Sequence, residues 1–418
     1  MSKRKTKIVA PHQRSADDLA QLSRGSIKSV AGISPAKARE IMAERTEKKV
    51  TFRPKFESKK VKAASGAGAI QSFAAQPGNA SNTVQSPASI AELARALKND
   101  VDLIYYHVYN QIEYYPTFGL QKGAMGALID GIGNPWDQCQ LMVDLLTEAG
   151  HTASFVFGDL DLSNDEIAAW LGTDSSNIYN AYYVLQRGGI PCEAVWTGTE
   201  WRMTLSHIWV KVTIDSTDYY FDPSYKSYTS TSGINLGTAM GYSRSSLIAA
   251  AETGATIDTS GNWIQDVDFD GIKSELSDYT MELVDYIKTN NPTATMDDII
   301  GGKSINQISS PVRNTSLDYL DSEVTPTVWS TIPNSYRTTV DITNSYGISE
   351  SFYADELYGK RITVWYNTSV QAELRVDGTL VATGSTTALG PYVTFNVHFV
   401  HPYPVTWYDE WVYLSTRA

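Results

Sequence analysis

Apolar positions three and four residues apart mark helices in the first half of the ordered sequence. Leu93, Leu97, Val101, Ile104 and Val108 recur at that spacing behind Ser89, so helix is expected from there, and the aromatic run around Tyr105 to Tyr115 breaks at Pro116. GAMGALIDGIGN then supplies small residues and turns. At 133–150, GNPWDQCQLMVDLLTEAG, a Gly-Asn turn delivers Pro135 as first residue of a helix, where a missing N–H costs nothing. Cys139, Met142, Val143, Leu146 and Gly150 fall three or four apart, which puts Cys139 on the stripe facing a core.

The period then changes. HTASFVFGDL reads as a strand, followed by a helix capped at Ser163 or Asn164 and reaching Trp170 and Leu171. GGIPCEAVW and SHIWVKVTI alternate like strands, and DYYFDPSY is a third. These segments predict a helix packed on an antiparallel sheet, an α+β core. Residues 240–302 turn helical again, with Asn291-Pro292 stopping one helix and Thr295 capping another. From about Val324 short alternating runs (YRTTVDITN, KRITVWYN, AELRVDG, TLVATG, YVTFNVHFV, WVYLS) with turns such as Asp377-Gly378 predict a β-sandwich. The last run is strand-like to its final residues, as if a longer protein continued.

Composition adds a second kind of boundary. Of the 34 Lys+Arg and 46 Asp+Glu, residues 1–63 hold 17 and 6, a net of +11 that leaves −23 on the remainder. A basic arm on an acidic body is therefore expected, the arm disordered until it meets an acidic partner. Within it Ser34-Pro35 can cap a short helix through AKAREIMAERTEKK, which has no broad apolar face. Residues 64–86 are Gly/Ser/Asn-rich and read as a flexible linker. The organisation expected is thus an arm at 1–63, a linker at 64–86, a core at 87–235, a helical extension at 236–315 and a β-sandwich at 324–418.

Two cysteines, Cys139 and Cys192, supply neither a disulfide framework nor a zinc spacing, though a single bridge between them stays open. The basic start has no following apolar stretch, so no secretory leader is expected, and no run of about 18 apolar residues predicts a membrane span. A cytoplasmic location is the default expectation, with leaderless delivery or export as the alternative. No nucleic-acid motif and no Gly-rich phosphate loop appear.

The chemistry lies in the order of three residues. Cys139 on a helix, then His207 and Asp222 on successive strands, is the layout of a thiol triad, in which imidazole takes the thiol proton and carboxylate orients the ring. Each residue has a plainer role beside it: a small buried hydrophobe, a core imidazole, a turn before Pro223. Asp137 suits the helix dipole at the first turn, and Gln138 has an amide to offer an oxyanion. Asp266, Asp268 and Asp270 begin like a calcium loop, but its twelfth position is Ser277 and Glu275 is off register. Capping of the following helix is their expected role, and no cofactor is expected.

The segment from Gly133 to Gly150 with HIWVKV and FDPSYKSY resembles the transglutaminase-like branch of the papain-like superfamily. Residues from about Ile90 to Val400, through pieces such as LQKGAMGALIDGIGNPWDQ, PTATMDDIIGG and LYGKRITVWY, are similar to the transglutaminase-like region of large bacterial RHS/YD-repeat surface and toxin-delivery proteins. The resemblance implies a papain-like core and thiol-dependent acyl transfer or hydrolysis on peptide or glutamine amides, with a peptide or protein as substrate. It matches His207 and Asp222 to the family's His and Asp. It also puts Pro135, not Cys139, at the family's nucleophile position, with Cys139 one helical turn late. The competing expectation is an inactive binding module of the same fold, or the cargo or scaffold of a delivery system.

Overall fold

The computed structural model describes residues 33–45, 89–260, 262–386 and 394–403. They form α1 (Pro35–Glu44), α2 (Ile90–Ala96), α3 (Val101–Gln111), β1 (Glu113–Tyr114), α4 (Gly123–Asp130), β2 (Ile132–Gly133), α5 (Pro135–Glu148), β3 (Thr152–Ser163), α6 (Asn164–Leu171), α7 (Ile178–Arg187), β4 (Cys192–Trp196), β5 (Trp201–Ile214) and β6 (Thr217–Phe221). Then follow β7 (Tyr228–Thr231), α8 (Leu236–Ala239), α9 (Arg244–Glu252), β8 (Thr256–Asp258), β9 (Trp263–Gln265), α10 (Phe269–Asn290), α11 (Met296–Ile300) and β10 (Gly302–Ile305). The rest are β11 (Thr327–Trp329), β12 (Thr339–Asn344), β13 (Ser349–Tyr353), α12 (Ala354–Leu357), β14 (Ile362–Tyr366), β15 (Gln371–Val376), β16 (Thr379–Thr386) and β17 (Phe395–Val400). Helices and mostly antiparallel sheets, with β1 and β2 paired in parallel, together make a mixed α and β protein.

Helix α5 begins as its sequence dictates. Asn134 accepts from the N–H of Asp137 at 2.9 Å and Asp137 reaches back to the N–H of Asn134, a reciprocal cap in front of Pro135. Trp136, Cys139, Leu141, Met142, Leu145 and Leu146 are buried along it. Helix α6 has the same device at Ser163 and Glu166. Helices α2 and α3 divide one expected helix, because Lys98 and Asn99 take left-handed backbone and Asp100 caps a fresh start through the Leu103 N–H.

The central sheet runs β11-β3-β5-β4, with β6 also on β5. β3 pairs with β5 without interruption from Thr152↔Thr213 to Ser163↔Arg202. On the other edge of β5, β4 pairs over 201–205 and β6 over 210–214, so residues 206–209 lie in a gap between two strands. Alternation puts Phe157, Asp159, Ile208 and Ser206 on one face, and Val156, Gly158, Trp209 and His207 on the other. Gly158 is obligatory: a Cβ there would stand 2.8 Å from the Trp209 ring.

The domain boundaries differ from those the sequence predicts. Contacts divide the chain into one unit of Met1–Lys226 with Gln307–Ala418, and a second of Ser227–Asn306. The second unit holds the expected helices and also two small antiparallel pairs, β7 with β10 and β8 with β9. β11, which falls inside the 324–418 stretch expected to form the sandwich, adds to the central sheet beside β3. The sandwich strands form two three-stranded sheets, β13-β12-β17 and β14-β15-β16, around Val340, Ile342, Phe352, Leu374 and Val376. Asp377 and Gly378 take positive φ between Val376↔Thr379, the two-residue hairpin their sequence predicts. The run WVYLS lies outside the described residues, as does most of the basic arm and the 64–86 linker.

Part of the arm is folded. Ser34 caps α1, whose Pro35, Ala38 and Met42 are buried, a narrow stripe at helical spacing that was enough to seat ten residues.

Candidate functional site

Two of the three expected triad residues meet. His207 Nε2 lies 2.9 Å from Asp222 Oδ2, both side chains almost wholly buried. The Ser224 hydroxyl stands 3.3 Å from the same ring nitrogen and donates to Asp222 Oδ1 at 2.9 Å. The N–H groups of Ser224 and Tyr225 also donate to Oδ1, and Tyr319 donates to Oδ2 at 3.3 Å. Burial works to raise the Asp222 carboxyl, and these donors with His207 outweigh it, leaving it below its ordinary value. Trp170 meets the His207 ring edge-on at 5.6 Å and ties its own indole N–H to the Ser224 carbonyl.

The third residue is engaged elsewhere. Cys139 is fully buried and its thiol donates to the backbone carbonyl of Ile208 at 3.4 Å. No hydrogen bond joins it to the His207 ring among the described residues. The strand gap explains this partner. Ser206 and Ile208 turn their backbone groups toward the open edge of β5, where Ser206 N–H finds Pro191 O and Ile208 C=O finds the thiol. Cys139 thus fills a missing rung of the sheet, while His207, one residue earlier, turns its side chain to the face opposite that of Ile208. Burial, with the Asp222 charge adding to it, pushes the Cys139 thiol well above its ordinary range. A thiol nucleophile needs the opposite shift.

Asp137 and Gln138 are likewise committed to structure. Asp137 Oδ1 accepts from the N–H groups of Gln121, Lys122 and Gly123 at 3.1, 2.8 and 2.9 Å, clamping the entry to α4 onto the start of α5. Burial pushes its carboxyl up to about 6, against the lowering effect of those donors. The Gln138 amide nitrogen donates to Gly133 O at 2.7 Å and Glu113 O at 3.3 Å, which leaves no donor for an oxyanion.

The aspartates at 266–270 form no cation cradle, and no cluster of three metal-ligating residues occurs among the described residues. Asp268 caps α10, accepting from the Gly271 N–H at 2.8 Å. Asp268→Ala is expected to cost about 1 kcal/mol in the second unit, measured by denaturation, with no change in midpoint on adding calcium to the parent chain. A calcium-dependent gain would restore the ion-site reading. Both cysteines are free, so the open question of a Cys139–Cys192 bridge closes against it.

Sequence reasoning missed Ser224, Tyr319, Trp170 and Lys226. Ser224 and Lys226 lie within the DPSYK run, where Asp-Pro-Ser announces a side-chain turn; Tyr319 returns from a distant segment that no local pattern marks. No protein-family model, curated protein or solved structure matches the chain. Among the described residues no helix is long and apolar enough to cross a membrane.

Proposed function

We propose that the chain is a transglutaminase-like module with a papain-like core, in which the His207–Asp222 pair persists and the thiol step has lapsed, so that it holds a peptide or protein partner rather than cleaving or cross-linking it. The observation that carries this reading is the Cys139 thiol, buried and bonded to the Ile208 carbonyl. Pro135 at the position where the resemblance expects the nucleophile points the same way. The link to RHS-type surface or delivery systems rests on the sequence resemblance, and the acidic body with its basic arm is compatible with a role as cargo or scaffold.

The test compares incorporation of a fluorescent amine into a glutamine peptide by the parent chain, Cys139→Ser and Pro135→Cys. The parent and Cys139→Ser are expected to be indistinguishable from buffer. Pro135→Cys places a thiol on the first turn of α5, where the helix N-terminus favours thiolate, and a rate about 10²-fold above that of buffer alone is expected. Turnover by the parent that vanishes in Cys139→Ser would sink the proposal.

A further inference from the structure

The one folded piece of the basic arm is seated on a buried carboxylate. Arg39 Nη1 of α1 lies 2.5 Å from Asp159 Oδ1, on the face of the central sheet that also carries Ser206 and Phe157. Asp159 is almost fully buried, while the Arg39 side chain remains about one-third exposed (32%). Ser206 donates to the same carboxylate oxygen at 3.4 Å. Ala38 and Met42 bury the apolar stripe of the helix.

The seat continues into an aromatic wall. Trp136 stacks on Tyr336 at 5.1 Å and lies 5.4 Å from Phe157, which in turn stacks on Trp329 at 5.2 Å. Arg39 is close enough that its charge works to lower the Tyr336 phenol, against the larger effect of burial. A buried carboxylate with a hydroxyl beside it and stacked rings along it suits a guanidinium, which is planar, permanently charged and weakly hydrated.

Among the described residues, helix α1 is seated by the Arg39–Asp159 pair and a short apolar stripe. It is ten residues long, too short to persist alone in water, and buries three side chains. A helix this short, seated by one ion pair and three buried side chains, is in the position of a ligand bound in cis.

We propose that the Asp159 notch is a docking site for a guanidinium-bearing amphipathic helix of a partner protein, and that α1 occupies it as a displaceable internal ligand. The charge division supports the same partner class, since an acidic body of net −23 attracts basic helices in general and the notch selects one with arginine beside a small apolar stripe. This inference is independent of whether the His207 site is active.

The test uses the full chain and a fluorescein-labelled synthetic peptide of residues 33–45, followed by anisotropy. The parent should bind the peptide weakly, because its own helix competes. Arg39→Ala in the full chain weakens that competitor and should bind the same peptide about tenfold more tightly, a gain of about 1.4 kcal/mol. A peptide carrying Arg39→Ala should lose binding, and Asp159→Asn in the chain should abolish the gain. Equal peptide affinity in parent and Arg39→Ala chains overturns the proposal, as does a peptide that binds equally well without its arginine; both comparisons stand should Asp159→Asn fail to fold.

Discussion

Iodoacetamide added to the native chain is expected to alkylate Cys139 at least about 10³-fold more slowly than it alkylates the unfolded chain. A fully buried thiol reacts only when its surroundings open, and opening the centre of a domain costs on the order of 5 kcal/mol or more. Its surroundings are the centre: α5 behind it, the β5 gap before it and the Ile208 carbonyl in contact. The pH dependence carries a second signature. An activated cysteine shows a plateau of labelling above a depressed pKa, whereas burial raises this one, so native labelling should show no titration step below the ordinary thiol range. Mass spectrometry after digestion separates Cys139 from Cys192, which is also buried and raised. Rapid native labelling with a step near neutral pH would return Cys139 to the nucleophile role and overturn the proposed function.

Those residues mark where a sequence stops informing. The period of 3.6 along 133–150, the caps at Asn134, Ser163 and Thr295, and the alternation through SHIWVKVTI are local, and the helices and strands they predict are present. Helix α7 was not read from the sequence, although Ile178, Ala181, Tyr182 and Leu185 form a buried stripe at helical spacing. Return paths were not legible. Nothing local tells that 327–329 pairs with 155–157 of the central sheet, or that Tyr319 reaches Asp222. The order Cys, His, Asp predicts three residues in one place, but side-chain direction on β5 is fixed by a strict two-residue period. That period gives the ring to Asp222 and the neighbouring backbone to Cys139. Order in sequence places backbones near one another; it does not aim side chains.

Lys226→Met is expected to destabilise the first unit by about 3 kcal/mol, because Lys226 fastens the segment that carries the candidate site. Its ammonium donates to Tyr109 O at 2.7 Å, Val108 O at 3.1 Å and Ile112 O, three carbonyls at the C-terminal end of α3. They lie at the end of the helix where its dipole is negative, and Val108 O also accepts from the Ile112 N–H at 3.3 Å. Lys226 lies four residues beyond Asp222 and Tyr105 of α3 donates to the Asp222 carbonyl, so one helix anchors both ends of the turn that bonds His207. Methionine matches the stem and removes the three ammonium hydrogen bonds. The pH dependence has a definite sign. Burial pushes the Lys226 ammonium down from 10.5 to about 7, with Glu113 and Asp222 working against it. Between those values the unfolded chain binds more protons than the folded one, so the parent's stability relative to Lys226→Met should rise with pH across that window. Urea denaturation at pH 7 and pH 9 reads both effects. A variant within 1 kcal/mol of the parent at both values would show that the carbonyls of α3 find other donors, and that the Asp222 turn is held by its own hydrogen bonds to Ser224 and Tyr225 alone.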